Sequence, residues 1–237
     1  MSITSRHFVN LTDMQDFTLE CVLFDLDGTL VDTAPDLVAC LNASLMRHGY
    51  GVVDYAEVKP LISWGAMPMI RQALTDANAE THERLLQTML THYQDNIAVH
   101  SRFFDGIEAA LSRIEALGLK WGVVTNKKRR FTDPLMVAMN LTERAACIVS
   151  GDTTEHSKPH PEPMLFACQQ AGVDPERCVY IGDAEHDIVA GRNANMKTLA
   201  AVYGYLKDGD QPQTWGADGL IEHPGQLLNW IEARLCH

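Results

Sequence analysis

The chain is short of positive charge. Against 31 Asp and Glu stand 19 Lys and Arg, a formal net charge of −12 over 237 residues. So acidic a balance argues against nucleic acid as the main partner, because phosphate backbones are held by Lys and Arg. It also demands a locally positive pocket for any anionic substrate. Paired cysteines are missing: Cys21, Cys40, Cys147, Cys168, Cys178 and Cys236 are scattered without a C-x-x-C. Several fall in apolar stretches, which reads as reduced core thiols of a cytoplasmic protein. The ten histidines show no H-x-x-x-H or H-x-x-H on a clear helix face, so no zinc site is assigned. No apolar run approaches the roughly 18 residues of a membrane span. The polar segment 1–17 lacks the apolar centre of a signal peptide and is expected to be a loosely ordered extension.

What is present is an ordinary globular composition, 46% hydrophobic and 21% charged. Apolar runs read as strands at 21–24, 120–125, 147–150, 178–181 and 198–202, with a weaker one at 219–221. Helical patterns lie between them at 107–117, 130–139, 163–171 and 187–195, and another at 224–235 closes the chain. Short apolar strands alternating with helices predict an α/β fold, a mostly parallel sheet covered on both faces. Ligands of such sheets bind at the carboxyl ends of the strands. The alternation fails between about 33 and 102, where helical patterns at 36–48, 67–76 and 81–97 have no convincing strand among them. The expected organisation is an N-terminal extension (1–17), a core (18–32 and 103–237) and a small helical cap (33–102).

Four strand ends carry polar groups. The first strand runs into Asp25-Leu26-Asp27-Gly28-Thr29, two carboxylates one residue apart. Such neighbours repel unless a cation or a shared proton screens them. The second strand ends in Thr125-Asn126. The loop beyond the third holds Lys158 among Pro159, Pro161 and Pro163. The fourth ends in Gly182-Asp183, with Asp187 four residues on. A parallel sheet brings these ends to one edge. Asp25 and Asp183 suit Mg²⁺, a hard cation that takes carboxylates, waters and phosphate oxygens. Asp25 is then placed to attack phosphorus, and Asp27 to protonate the leaving oxygen and later to deprotonate water. Thr125 and Lys158 can hold the non-bridging oxygens, and backbone N–H groups opened by Gly28 can cradle them.

Together these motifs resemble the haloacid dehalogenase superfamily of phosphatases: D-x-D-G-T-L-V-D-T at 25–33, the strand-end Thr125, the K-P-x-P-x-P loop at Lys158 and G-D-x-x-x-D at 182–187. The resemblance implies a Rossmannoid three-layer core with a helical cap inserted after the first motif. It also implies Mg²⁺ on the side chain of Asp25, the backbone carbonyl of Asp27 and the side chain of Asp183. Asp187 would be a ligand or a partner of the metal's waters.

In such capped enzymes the cap reads the leaving group. The expected reader is the loop 61–67, with Ser63, Trp64 and Gly65, joined by Asn126; Arg102, near the hinge, reads evenly as a contact to an anionic substrate group or as an interdomain salt bridge. The chain is phosphoglycolate phosphatase-like, but Trp64 and Ala66 interrupt the glycine-rich V-G-x-G usual in that group's cap loop. Segments 99–106, 121–127, 203–205, 215–218 and 222–224 look closer to the branch that acts on N-acetylmuramic acid 6-phosphate in cell-wall recycling. The partner expected is thus a small phosphorylated substrate, with no nucleic acid and no membrane, bound by a monomer or weak homodimer. A dehalogenase would not need Asp27, a phosphosugar mutase would retain the phosphoryl group, and a non-catalytic relative would be expected to have lost one of Asp25, Asp27, Lys158 or Asp183. The basic run Lys127 to Arg130 reads evenly as a solvated helix start or as substrate steering. His156 and His160, flanking Lys158, read as solvated.

Overall fold

The computed structural model describes residues 17–235; residues 1–16 of the expected extension, and Cys236, lie outside them. In chain order the strands are β1 (Cys21–Phe24), β2 (Val31–Asp32), β3 (Arg102–Phe103), β4 (Lys120–Val124), β5 (Cys147–Val149), β6 (Cys178–Gly182), β7 (Lys197–Ala201) and β8 (Gly219–Ile221). Six of them form one parallel sheet in the order β5-β4-β1-β6-β7-β8. This is the α/β fold expected. Its crossovers are α5 (Ile107–Ala116), α6 (Arg129–Ala138), α7 (Glu162–Ala171) and α8 (Glu185–Asn193), with α9 (Gly225–Leu235) at the end.

The period of two along β1 explains why the sheet is covered on both sides. Val22 and Phe24 join one apolar cluster with Leu111 and Ile114 of α5, Leu135 of α6 and Ile231 of α9. Cys21 and Leu23 join another with Met164 and Ala167 of α7 and Ala190 of α8. All four β1 residues are fully buried, and each large apolar side chain so placed contributes about 1.5–3 kcal/mol. Five free cysteines, Cys21, Cys40, Cys147, Cys168 and Cys178, are buried.

Between β2 and β3 runs a helical insert: α1 (Ala34–Arg47), α2 (Tyr55–Val58), a 3₁₀ segment at Lys59–Trp64, α3 (Ala66–Ala73) and α4 (Ala79–Asp95). Its helices start where side-chain chemistry allows. Pro35 opens the first turn of α1, and Asn78 caps α4 by accepting from the Thr81 N–H at 2.9 Å. The insert has an apolar cluster of its own, with Leu41 and Leu45 of α1 packed beside Leu85, Met89 and Tyr93 of α4. Both its entry and its exit pass through an antiparallel ribbon, Val31 opposite Phe103 and Asp32 opposite Arg102. The sequence reading had no strands here. Two residues are too few to show a period, so only the pairing defines them. Asp36 fastens the exit further: it is buried and accepts from the N–H groups of His100 and Ser101 at 2.8 Å each and from the Ser101 hydroxyl at 2.6 Å. None of the described helices is long and apolar enough to cross a membrane.

Candidate active site

β4, β1 and β6 are neighbours in the sheet, so the residues at or just beyond their carboxyl ends, Thr125, Asp25 and Asp183, meet at one edge. Lys158 arrives from the proline-rich loop before α7 and is buried among oxygens. Its Nζ lies 2.7 Å from Asp25 Oδ1, 2.7 Å from Asp187 Oδ1, 2.8 Å from the Tyr180 hydroxyl and 3.0 Å from the Val124 carbonyl. Asn126 fixes this loop. Its Nδ2 donates to the Lys158 carbonyl at 3.1 Å and its Oδ1 accepts from the Lys158 N–H at 3.0 Å. Asn126 also borders the cavity described below, but both ends of its amide are engaged in holding Lys158.

Asp27 is held from two sides. The Thr33 hydroxyl donates to its Oδ1 at 2.6 Å, and Lys127 Nζ lies 3.0 and 3.2 Å from its two oxygens. The basic run is therefore split: Lys127 turns inward, where neither a solvated nor a purely steering role describes it. Gly28 sits at φ +88°, and a Cβ there would collide with Asp183 and the Tyr205 ring, so the close approach requires glycine. Asp183 accepts from the Tyr205 N–H at 2.8 Å, from the Ser63 hydroxyl of the insert at 2.9 Å and from the Thr29 hydroxyl at 3.3 Å. Tyr205 also reaches the hinge: its hydroxyl donates to Asp32 Oδ1 at 2.8 Å and accepts from the Ala34 N–H at 3.0 Å.

Asp25, Asp183 and Asp187 present oxygens that all lie within 4.8 Å of one another, and all three residues are buried. Burial pushes the Asp25 carboxyl up to about 6, Lys158 opposing the shift and Asp187 adding to it. Burial, with repulsion from Asp25 and Asp187, raises Asp183 well above the usual carboxylate range. For Asp187 burial opposes ionisation, but Lys158, His186 and the Ala184 N–H together outweigh it and hold the carboxyl low. One ammonium among three buried acids leaves negative charge uncompensated. The donor set, hard carboxylate oxygens at the bottom of a cleft, fits a divalent magnesium ion.

Between this edge and the insert lies a cavity of about 610 Å³. Asp25, Asp27, Thr125, Asn126 and Lys158 line its floor; Ser63 to Met69, Leu86, Leu90 and Tyr93 line its roof. Lys127, Lys128, Arg130 and Phe131 form one wall, and His186 borders the cavity as well. Trp64 is 48% exposed, with Lys207 Nζ 3.7 Å from its ring centre and the His186 ring edge-on at 5.5 Å. Of the two roles open to Arg102, the structure shows the salt bridge, which corrects its place among the substrate contacts. It is not among the cavity's lining residues, and its guanidinium pairs with Asp32 across the ribbon at 3.7 Å with 69% of its side chain exposed. In antiparallel register Arg102 falls directly opposite Asp32, and the ion pair keeps it at the hinge.

The family model for haloacid dehalogenase-like hydrolases matches residues 22–201, which include every floor residue named above. The chain belongs to that family. A Pseudomonas aeruginosa relative named N-acetylmuramic acid 6-phosphate phosphatase is 44% identical over 94% of this chain and 99% of its own length. A Xanthomonas campestris relative named phosphoglycolate phosphatase is 40% identical over 87% of this chain and 93% of its own. Among solved structures, a predicted phosphoglycolate phosphatase from Haemophilus somnus superposes with a TM-score of 0.80 at 24% identity, covering 92% of this chain and 99% of that one; it speaks to the fold alone.

Several residues of this haloacid dehalogenase-like site escaped the sequence reading. Tyr180 looks like an ordinary strand residue, yet its hydroxyl donates to Val124 O at 2.8 Å while accepting from Lys158. Burial, and then the charges of Asp187 and Asp25, raise that hydroxyl well above its usual range, so it stays protonated. The only available signal was a hydroxyl-bearing ring in an otherwise aliphatic strand. Tyr205 lies in segment 203–205, where the sequence assigns it no role, and His186 carries no motif of its own. Burial lowers the His186 imidazole.

Proposed function

We propose that this hydrolase is a magnesium-dependent phosphomonoesterase that cleaves N-acetylmuramic acid 6-phosphate by way of an aspartyl-phosphate on Asp25. Lys158 engages one carboxylate oxygen of Asp25, leaving the other to attack phosphorus. As the phosphorus–oxygen bond to the sugar breaks, Asp27 gives its proton to the leaving alkoxide. Asp27 then takes a proton from water as that water attacks the phosphorus of the acyl phosphate, which releases inorganic phosphate and restores Asp25. Thr125, Lys158 and the N–H groups after Asp27 hold the non-bridging oxygens through both steps. Asp25, the main-chain carbonyl of Asp27 and Asp183 would hold the magnesium ion. When bound, it offsets the repulsion between Asp25 and an incoming phosphate. Asp187, with its oxygens on Lys158 and the Ala184 N–H, anchors the lysine and completes the acidic group.

The helical insert is read as a cap over this floor, and the enzyme as a cytoplasmic monomer or weak homodimer. The cavity carries the choice of substrate. At about 610 Å³ it lies within the ~300–1,000 Å³ of pockets that enclose a ligand of sugar size or larger. A two-carbon phosphate would leave most of that space to water. Its apolar roof, with Trp64 and Leu90, suits the carbon face of a pyranose better than a glycolate. The test is a side-by-side comparison of kcat/KM for N-acetylmuramic acid 6-phosphate and 2-phosphoglycolate, expected to favour the sugar acid at least ~10-fold. A higher value for phosphoglycolate would assign the two-carbon substrate.

A further inference from the structure

The start of α6 runs against the usual electrostatics of helices. A helix N-terminus carries partial positive charge and favours acids. Here the first turn holds no acid, its first two residues are Arg129 and Arg130, and Lys128 is the N-cap. In a chain of net charge −12, three adjacent cations at that end repel one another and the helix dipole alike. Departures of this kind concentrate where function requires them.

The cations are disposed differently. Arg129 faces away from the cavity, its N–H on Asp152 at 2.8 Å and its guanidinium 3.4 Å from the Thr153 hydroxyl. Lys128 and Arg130 line the cavity, and neither forms an ion pair with a carboxylate among the described residues. Lys128 donates to the Gly151 carbonyl at 3.2 Å, and the Arg130 guanidinium lies over the Phe131 ring at 4.6 Å. Facing them from α4 is Tyr93, whose ring packs on Phe131 at 5.5 Å and under Lys127 Nζ at 4.6 Å. Tyr93 is 1% exposed and borders the cavity, and its buried hydroxyl makes no close hydrogen bond, with the Lys127 ammonium its nearest charged neighbour. A hydroxyl left so is destabilising unless another oxygen or nitrogen meets it.

We propose that Lys128 and Arg130, with the Tyr93 hydroxyl behind them, form a second anion subsite that takes the carboxylate of the leaving group, apart from the floor that takes the phosphate. The inference rests on the phosphomonoesterase reading and adds to it the chemistry by which substrates are told apart. A guanidinium steadied on an aromatic ring presents a planar edge of donors, which matches the two oxygens of a carboxylate. A neutral hydroxyl in the same place would leave both cations unanswered.

The experiment measures kcat/KM of Arg130→Gln, Lys128→Gln and Tyr93→Phe on two matched pairs. These are N-acetylmuramic acid 6-phosphate with N-acetylglucosamine 6-phosphate, and 2-phosphoglycolate with ethyl phosphate. In each pair the first compound carries the carboxylate and the second lacks it. Arg130→Gln is expected to lower kcat/KM about tenfold on the carboxylate member and less than about twofold on the neutral one, with smaller losses of the same pattern for the other variants. Melting temperatures should stay within a degree or two of that of the unsubstituted protein or above it, because one variant type relieves repulsion at the helix start and Tyr93→Phe removes a hydroxyl that makes no close hydrogen bond. Equal losses on both members of the faster pair, or a fall in melting temperature that tracks the loss, would overturn the subsite. Which pair the unsubstituted enzyme prefers judges the substrate reading separately.

Discussion

Beneath the cavity most of the charged groups are met by several partners. Lys158 touches four oxygens, Asp183 accepts three hydrogen bonds and Asp27 is held by Thr33 and Lys127. The roof is built differently. Met67, Leu86 and Leu90 present apolar surface, and Trp64 is half exposed against Lys207 and His186. The floor is preorganised for one charge distribution and tolerates little change, because removing one partner strands another buried charge. The roof is held by contacts that are individually weak and can be exchanged. The reaction is therefore fixed where the partners are many, and the choice of substrate is left to the side where they are few.

The largest break in that contrast should come from Lys158→Met. With the ammonium gone, Asp25 and Asp187 stay buried without a counter-charge, and the loss of stability should be about 3–5 kcal/mol by denaturant unfolding of the metal-free protein. Phosphate release should fall at least ~10³-fold. A variant as stable as the parent would show that the floor's network is not what holds the two acids in place.

The acidic cluster sharpens the contrast through pH. In the fold the Asp25 carboxyl sits at about 6 against an ordinary value of 3.8, and Asp183 is raised in the same sense. Both take up a proton more readily in the folded than in the unfolded chain, so stability falls as pH rises between those values. Asp187, held low, acts in the opposite sense, but its stabilisation is fully present above the ordinary carboxylate value and is lost only at more acidic pH. Metal-free protein should thus melt at a higher temperature near pH 5 than at pH 7, and millimolar magnesium should remove the difference. A melting temperature that rises from pH 5 to 7 without metal would contradict the uncompensated charge. The smallest effect belongs to the roof. Trp64→Ala gives up an exposed cation–π contact of about 0.5–1 kcal/mol, so stability should change little while KM rises about threefold. A larger fall in kcat than in affinity would mean that the tryptophan acts on the floor.

Much of this is legible in the amino-acid sequence. The D-x-D, the strand-end threonine, the proline-bound lysine and the G-D-x-x-x-D motif each sit where a parallel sheet must gather them, so topology alone predicts their meeting. What could not be read are pairings with no local signature. Lys127 reaches Asp27 across 100 positions, and nothing in four consecutive basic residues says which one turns inward. Tyr180 is marked by depth, and depth is not written in a four-residue apolar run. For Arg102 a substrate contact and a salt bridge could not be told apart, because its register opposite Asp32 exists only once the two-residue ribbon has formed.

Tyr205 has a mechanical consequence. Its amide holds Asp183 while its hydroxyl spans Asp32 and Ala34, where the insert begins. A short, stiff ring thus acts as a connecting rod between the acid cluster and the ribbon from which the insert departs. A displacement of the insert at that ribbon would pull on the residue that steadies Asp183, and a change at Asp183 would be felt at the ribbon by the same route. The position of the insert and the state of the acidic cluster are thus coupled through one side chain.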